Sequence, residues 1–130
     1  MTNTRTDTAL QVALAYHQAW AGGDFGHAIT YISPDITCHT PAGTITGADA
    51  FRDFMGPFAA MTTRVELIGA FGESDQALVM YDTGTPDVAS APGAEWHTVR
   101  DGKVIEMRIV FDRLPFALAV GEVAPAGSAG

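Results

Sequence analysis

Apolar residues recur four apart near the start of the chain. Val12, Tyr16 and Trp20 share one face of a segment dense in Ala and Leu, which predicts a helix from about Asp7 to Ala21. Gly22-Gly23 ends it. Asp24 reads as the N-cap of a short second helix through about Tyr31, stopped by Ser33-Pro34. Asp35 to Thr40 reads as a strand closed by Pro41-Ala42-Gly43. Phe51, Phe54, Met55 and Phe58 form the apolar stripe of a third helix from about Ala48 to Phe58, whose end Gly56-Pro57 weakens. Beyond it the pattern turns to β. Arg64 to Phe71 and Gln76 to Thr83 read as strands around a turn at Gly72 to Asp75, and Gly84 to Pro92 as a loop. Ala94 to Arg100 and Val104 to Asp112 flank Asp101-Gly102, a strong hairpin signal.

Helices first and antiparallel strands after is an α+β order. Alternation puts Glu95, His97 and Val99 on one strand face, and Trp96, Thr98 and Arg100 on the other. It likewise separates Met107, Ile109 and Phe111 from Glu106, Arg108, Val110 and Asp112. One sheet face is expected to cup the helices. The other mixes charge with apolar residues, which suits a partner subunit, so a homodimer is expected.

Composition narrows the class. The chain has 130 residues, 47% of them apolar and 17% charged, which fits a single folded domain. Residues 1–6 are expected to be a flexible arm, 7–118 the domain, and 119–130, small and Pro-containing, a disordered tail. The formal net charge is −8, without a Lys/Arg cluster, so neither nucleic acid nor a membrane is an expected partner. One cysteine, Cys38, allows no intramolecular disulfide. The polar N-terminus lacks a leader's apolar stretch, and no apolar run is long enough to span a bilayer. The expected setting is the cytoplasm.

Five segments carry a resemblance. Trp20-Ala21-Gly22-Gly23-Asp24 ends the first helix, followed by Tyr31-Ile32-Ser33-Pro34-Asp35-Ile36 and Cys38-His39-Thr40-Pro41-Ala42-Gly43. Gly47-Ala48-Asp49-Ala50-Phe51 opens the third helix, and Val99-Arg100-Asp101-Gly102-Lys103-Val104-Ile105-Glu106 spans the hairpin. In order and spacing, over roughly Asp7 to Phe116, they resemble the nuclear transport factor two-like superfamily, nearest its SnoaL-like and ketosteroid-isomerase-like branches. The resemblance implies a cone-shaped, curved mixed sheet wrapping about three N-terminal helices around an internal apolar cavity. It also implies dimers through the outer sheet face. It does not fix an activity, because one fold of this kind hosts many functions.

The resemblance implies candidate catalytic residues. Tyr16 matches the oxyanion-hole tyrosine of ketosteroid isomerases, where a phenol donates to a developing enolate oxygen. Glu95 falls near their protonated carboxylic acid, which a cavity poor in water keeps neutral. His97 lies two residues on, on the same strand face, as an acid/base partner. The isomerases' general-base position reads Thr40 here, and positions where related cyclases carry His and Asp read Met107 and Ile109. Asp82, expected to face the pocket with Met80, is the replacement base. Trp20, Cys38, Thr40, Phe54, Phe58, Met80, Met107, Ile109 and Phe111 are the expected ligand-contacting wall.

The four histidines, His17, His27, His39 and His97, have no metal-ligand spacing, and no phosphate loop or nucleophile elbow is present, so no metal or cofactor is expected. The leading expectation is a cofactor-independent acid/base enzyme for a small hydrophobic ketone, lactone, epoxide or polyketide-like molecule: an isomerase, cyclase, dehydratase or hydrolase. Its rivals are a small-molecule-binding protein without chemistry and a dimerisation or accessory module with a filled core.

Overall fold

A computed structural model describes residues 8–121. The expected arm at residues 1–6 lies outside the described residues, as does the expected tail apart from residues 119–121.

Helix α1, Ala9–Ala21, begins at a reciprocal cap. Gln11 N donates to Thr8 Oγ1 at 3.1 Å, and Thr8 N donates to Gln11 Oε1 at 2.8 Å, satisfying donors that the first turn leaves open. Gly23, at φ +90°, turns the chain into α2, Phe25–Ala28, which Asp24 caps through His27 N. A single 3₁₀ turn, Ile29–Tyr31, leads into β1, Ile32–Thr40. The strand β2, Gly43–Thr46, returns along β1, and α3, Ala48–Met61, follows. Then come β3 (Arg64–Glu73), β4 (Gln76–Thr85), β5 (Val88–Arg100) and β6 (Lys103–Phe111). A short helix, α4, Leu114–Ala119, ends the described chain.

The six strands make one sheet in the order β2-β1-β6-β5-β4-β3. The β1–β6 pair is parallel and the others are antiparallel, so the sheet is mixed. Register shifts interrupt the β3–β4, β4–β5, β5–β6 and β1–β6 ladders, and such irregularities bend a sheet. The α+β cone is therefore the observed fold, with its helices on the inner face.

Three local expectations change. Gly84 to Pro92 is not a loop: β4 continues to Thr85 and β5 starts at Val88, turning at Pro86-Asp87. The proline is tolerated because Pro92 is exposed and its β6 side begins pairing only at Gly93. Helix α3 runs through Pro57 to Met61, its inner face anchored by Phe51 and Met55. The strand β2 and helix α4 were not anticipated. β2 is only four residues long with no fully buried position, and α4 has no buried residue, so neither leaves a strong apolar period. The Asp101-Gly102 hairpin forms as expected, with φ of +53° and +77°, the left-handed pair its two-residue turn needs.

Candidate functional site

The inner face gathers an unusual set of buried polar groups. On α1 the inward stripe is wider than the i, i+4 row and takes in Ala13 and His17 beside Val12, Tyr16 and Trp20. On β5 the alternation turns Glu95 and His97 inward. On β4 it turns Val79 and Tyr81 inward, since Val79 pairs with Glu95 and Tyr81 with Gly93 across the ladder. A side chain at Gly93 would press on Phe111 Cβ and the Val110 carbonyl, each 3.3 Å from where its Cβ would stand, so glycine lets β5 lie close to β6 there.

These groups form a bonded chain. Tyr81 Oη donates to Glu95 Oε2 at 2.6 Å, and Glu95 Oε1 lies 2.9 Å from His97 Nε2. Glu95 and His97 are 1% and 0% exposed. Both carboxylate oxygens are thus engaged inside the protein. Around the chain stand aromatic rings: Tyr16 meets His97 at a centroid distance of 5.7 Å, and Trp20, His17 and Tyr81 lie 5.2 to 5.5 Å from one another.

Four buried polar atoms here have no hydrogen-bond partner among the described residues: Tyr16 Oη, His17 Nδ1, Trp20 Nε1 and His97 Nδ1. Such an atom typically costs about 1–3 kcal/mol, so four in one cluster call for an explanation. Burial, aided by the Glu95 carboxylate and the Cys38 thiol, holds the Tyr16 phenol well above its ordinary pKa, so it remains a donor. Burial and then Glu95, through charge and the hydrogen bond, do the same to Tyr81. Burial lowers His17 below its usual value against the opposing pull of Glu95, favouring a neutral ring.

The other expected site residues divide clearly. Cys38, Met107 and Ile109 point inward, at 0%, 0% and 4% exposure. Phe54, Phe58 and Phe111 are half-buried and pack against the core. Burial pushes the Cys38 thiol up to about 12, which disfavours the thiolate that a nucleophile needs. Asp82 and Met80 are corrected: they face outward. Asp82 accepts from Arg64 at 2.7 Å and from Ser90 at 2.8 Å, and Arg64 holds its carboxyl below the usual range. Met80 is exposed on the same outer face. Apolar residues on both sides of this strand concealed which set pointed inward. Thr40 is also drawn away, because its hydroxyl donates to Gly43 O and accepts from Ala42 N in the β1–β2 turn.

Two groups escaped sequence reasoning, His17 and Tyr81. For His17 the available signal was its i, i+3 relation to Trp20, whereas Tyr81 is turned inward by the β4–β5 register, which no local pattern carries. The internal cavity implied by the resemblance is not shown. Surface depressions of about 450 and 360 Å³ lie at Phe71–Leu78 with Trp96 and at Pro34 with Thr46–Ala50, and neither is lined by a member of the cluster. Among the described residues, no group of three or more His, Cys, Asp or Glu is arranged to hold a metal ion. No helix among them is long and apolar enough to cross a membrane.

The curved mixed sheet with its helices on one face is the fold of nuclear transport factor two-like proteins. A protein of that fold from Cytophaga hutchinsonii ATCC 33406 superposes with a TM-score of 0.70 at 16% identity, over 87% of this chain and 98% of that one. A ketosteroid-isomerase-like protein from Kribbella flavida DSM 17836 gives 0.73 at 18% identity, over 84% and 82%. A further protein from Kribbella flavida DSM 17836 is 50% identical over 88% of this chain and 95% of its own, with a TM-score of 0.85. No curated protein matches the sequence. The SnoaL-like domain family matches residues 13–107, and the chain belongs to that family.

Proposed function

We propose that this protein is a cofactor-independent acid/base enzyme that moves a proton next to the carbonyl of a small, neutral, hydrophobic molecule. The observation that carries the reading is the Glu95–His97 contact of 2.9 Å with His97 Nδ1 left unpartnered near Tyr16. With Tyr81 donating to Glu95 Oε2, the carboxylate accepts the Nε2–H of His97, and Nδ1 keeps its lone pair. Nδ1 then takes a proton from the carbon beside the carbonyl. The unpartnered Tyr16 hydroxyl donates to the carbonyl oxygen as it becomes an enolate. Glu95 stabilises the imidazolium, which returns its proton to a second carbon or to the original one. Glu95 is thus an orienting carboxylate here, and not the neutral donor to substrate that the resemblance implies. A ketone is the simplest substrate of this class; a lactone or polyketide-like carbonyl meets the same requirement.

The test is α-proton exchange of cyclohexanone in heavy water, followed by NMR. Full-length protein should accelerate exchange, and His97→Gln, which keeps a donor to Glu95, should lose that acceleration by about a hundredfold or more. Undiminished exchange in His97→Gln would remove the mechanism.

A binding protein without chemistry is the second reading, favoured by the apolar Met107 and Ile109 and by the occupation of Thr40 in a turn. It predicts ligand bound and recovered without exchange. On either reading we propose a homodimer through the outer sheet face, supported by exposed Phe71, Met80, Trp96 and Val110. A cytoplasmic setting fits the single, buried Cys38.

A further inference from the structure

Two of the four unpartnered buried atoms have no part in that proton transfer. His17 and Trp20 stand one turn apart on α1, at 3% and 1% exposure, with their rings edge-on at 5.3 Å. Both rings lie against Tyr81, whose hydroxyl is fixed on Glu95, whereas Tyr16 lies against His97. The bonded chain of Tyr81, Glu95 and His97 therefore has an unpartnered polar pair at each end.

We propose that His17 and Trp20 form a second polar anchor of the same interior site, which takes a neutral oxygen at the far end of the ligand from Tyr16 and His97. This rests on the reading of that interior as a ligand site. The ligand class narrows to compact apolar molecules with two neutral oxygens, hydroxyketones above all. The indole N–H is a donor only, so it requires an acceptor. A neutral imidazole offers one lone pair and one N–H, and a hydroxyl satisfies the indole and the imidazole together by accepting from one and donating to the other. A carboxylate is disfavoured, because it would be a second acid group beside Glu95 and, among the described residues, no Lys or Arg side chain is buried there. Trp20 and His17 thereby act on substrate choice and leave the proton transfer to His97.

The probes are cyclohexanone and the three positional isomers of hydroxycyclohexanone, titrated into isotope-labelled full-length protein. At least one hydroxyketone should bind about fivefold or more tightly than cyclohexanone. It should also move the Trp20 indole N–H resonance, which cyclohexanone leaves in place. In His17→Phe that added affinity should vanish while cyclohexanone affinity persists. Equal affinity for all four probes, or a gain that survives His17→Phe, overturns the second anchor and leaves the proton-transfer reading standing. Cyclohexanone that neither binds nor exchanges overturns both. Should His17→Phe fail to fold, the indole resonance of the unaltered protein decides: a shift with a hydroxyketone alone supports the anchor, and no shift refutes it.

Discussion

The two faces of the central strands are built from the same short sequences and obey opposite rules. Along β5, Glu95 and His97 are sealed inside, while Trp96 between them is 44% exposed. Along β4, Tyr81 is buried against Glu95, while Met80 and Asp82 on either side of it face outward. The inner face thus encloses polar groups in an apolar shell, and the outer face carries large apolar groups among charges. Each inversion departs from what solvation alone favours, and these two departures are the ground for the ligand and the second copy proposed above.

The strongest way to break this comparison is to unpair the buried carboxylate. His97→Ala leaves Glu95 with one partner in a site closed to water, and stability should fall by about 3–5 kcal/mol. Denaturant unfolding measures it, and a loss below about 1 kcal/mol would mean that the interior is wetter than its exposure suggests. Tyr16→Phe should move the other way. It removes a hydroxyl with no protein partner, so stability should rise by about 1 kcal/mol while carbonyl exchange falls. A residue that weakens the fold and serves activity is expected only where function set the choice.

A subtler probe is acid. His17 has its pKa lowered from 6.5 by burial, so its contribution to stability is complete above that value. As pH falls below it, the unfolded chain takes up a proton that the folded chain resists, and the contribution is lost toward the lowered pKa. Urea midpoints at successive pH values should therefore decline less steeply in His17→Gln than in the native protein. The smallest effect on folding belongs to the outer face. Met80→Lys should change stability by no more than about 0.5 kcal/mol, yet it should reduce self-association seen by light scattering. A monomeric native protein would leave that face to another partner.

The fold was legible because its signals are local and redundant. The Val12-Tyr16-Trp20 row, the Asp24 cap and the Asp101-Gly102 turn each specify geometry within a few residues, and their order permits few architectures. Among the candidate residues, the helical row of α1 put Tyr16, and strand parity put Glu95 and His97, where the structure buries them together. Parity failed for β4, where Ala77, Val79 and Tyr81 alternate with Leu78, Met80 and Asp82 and both sets contain apolar residues. Only the β4–β5 register, with Val79 opposite Glu95, decides between them, and register is a long-range property. The hydrogen bond from Tyr81 to Glu95 bridges two strands and has no signature in either one alone.

The same division of faces equips the protein with two natural optical reporters. Its two tryptophans, Trp20 and Trp96, sit on opposite sides of the sheet, at 1% and 44% exposure. The enclosed indole should emit at shorter wavelength and escape aqueous quenchers, whereas the outward one should emit further to the red and be quenched by iodide. Occupation of the interior and coverage of the outer face can then be followed in one unlabelled sample, with Trp20→Phe and Trp96→Phe assigning each colour.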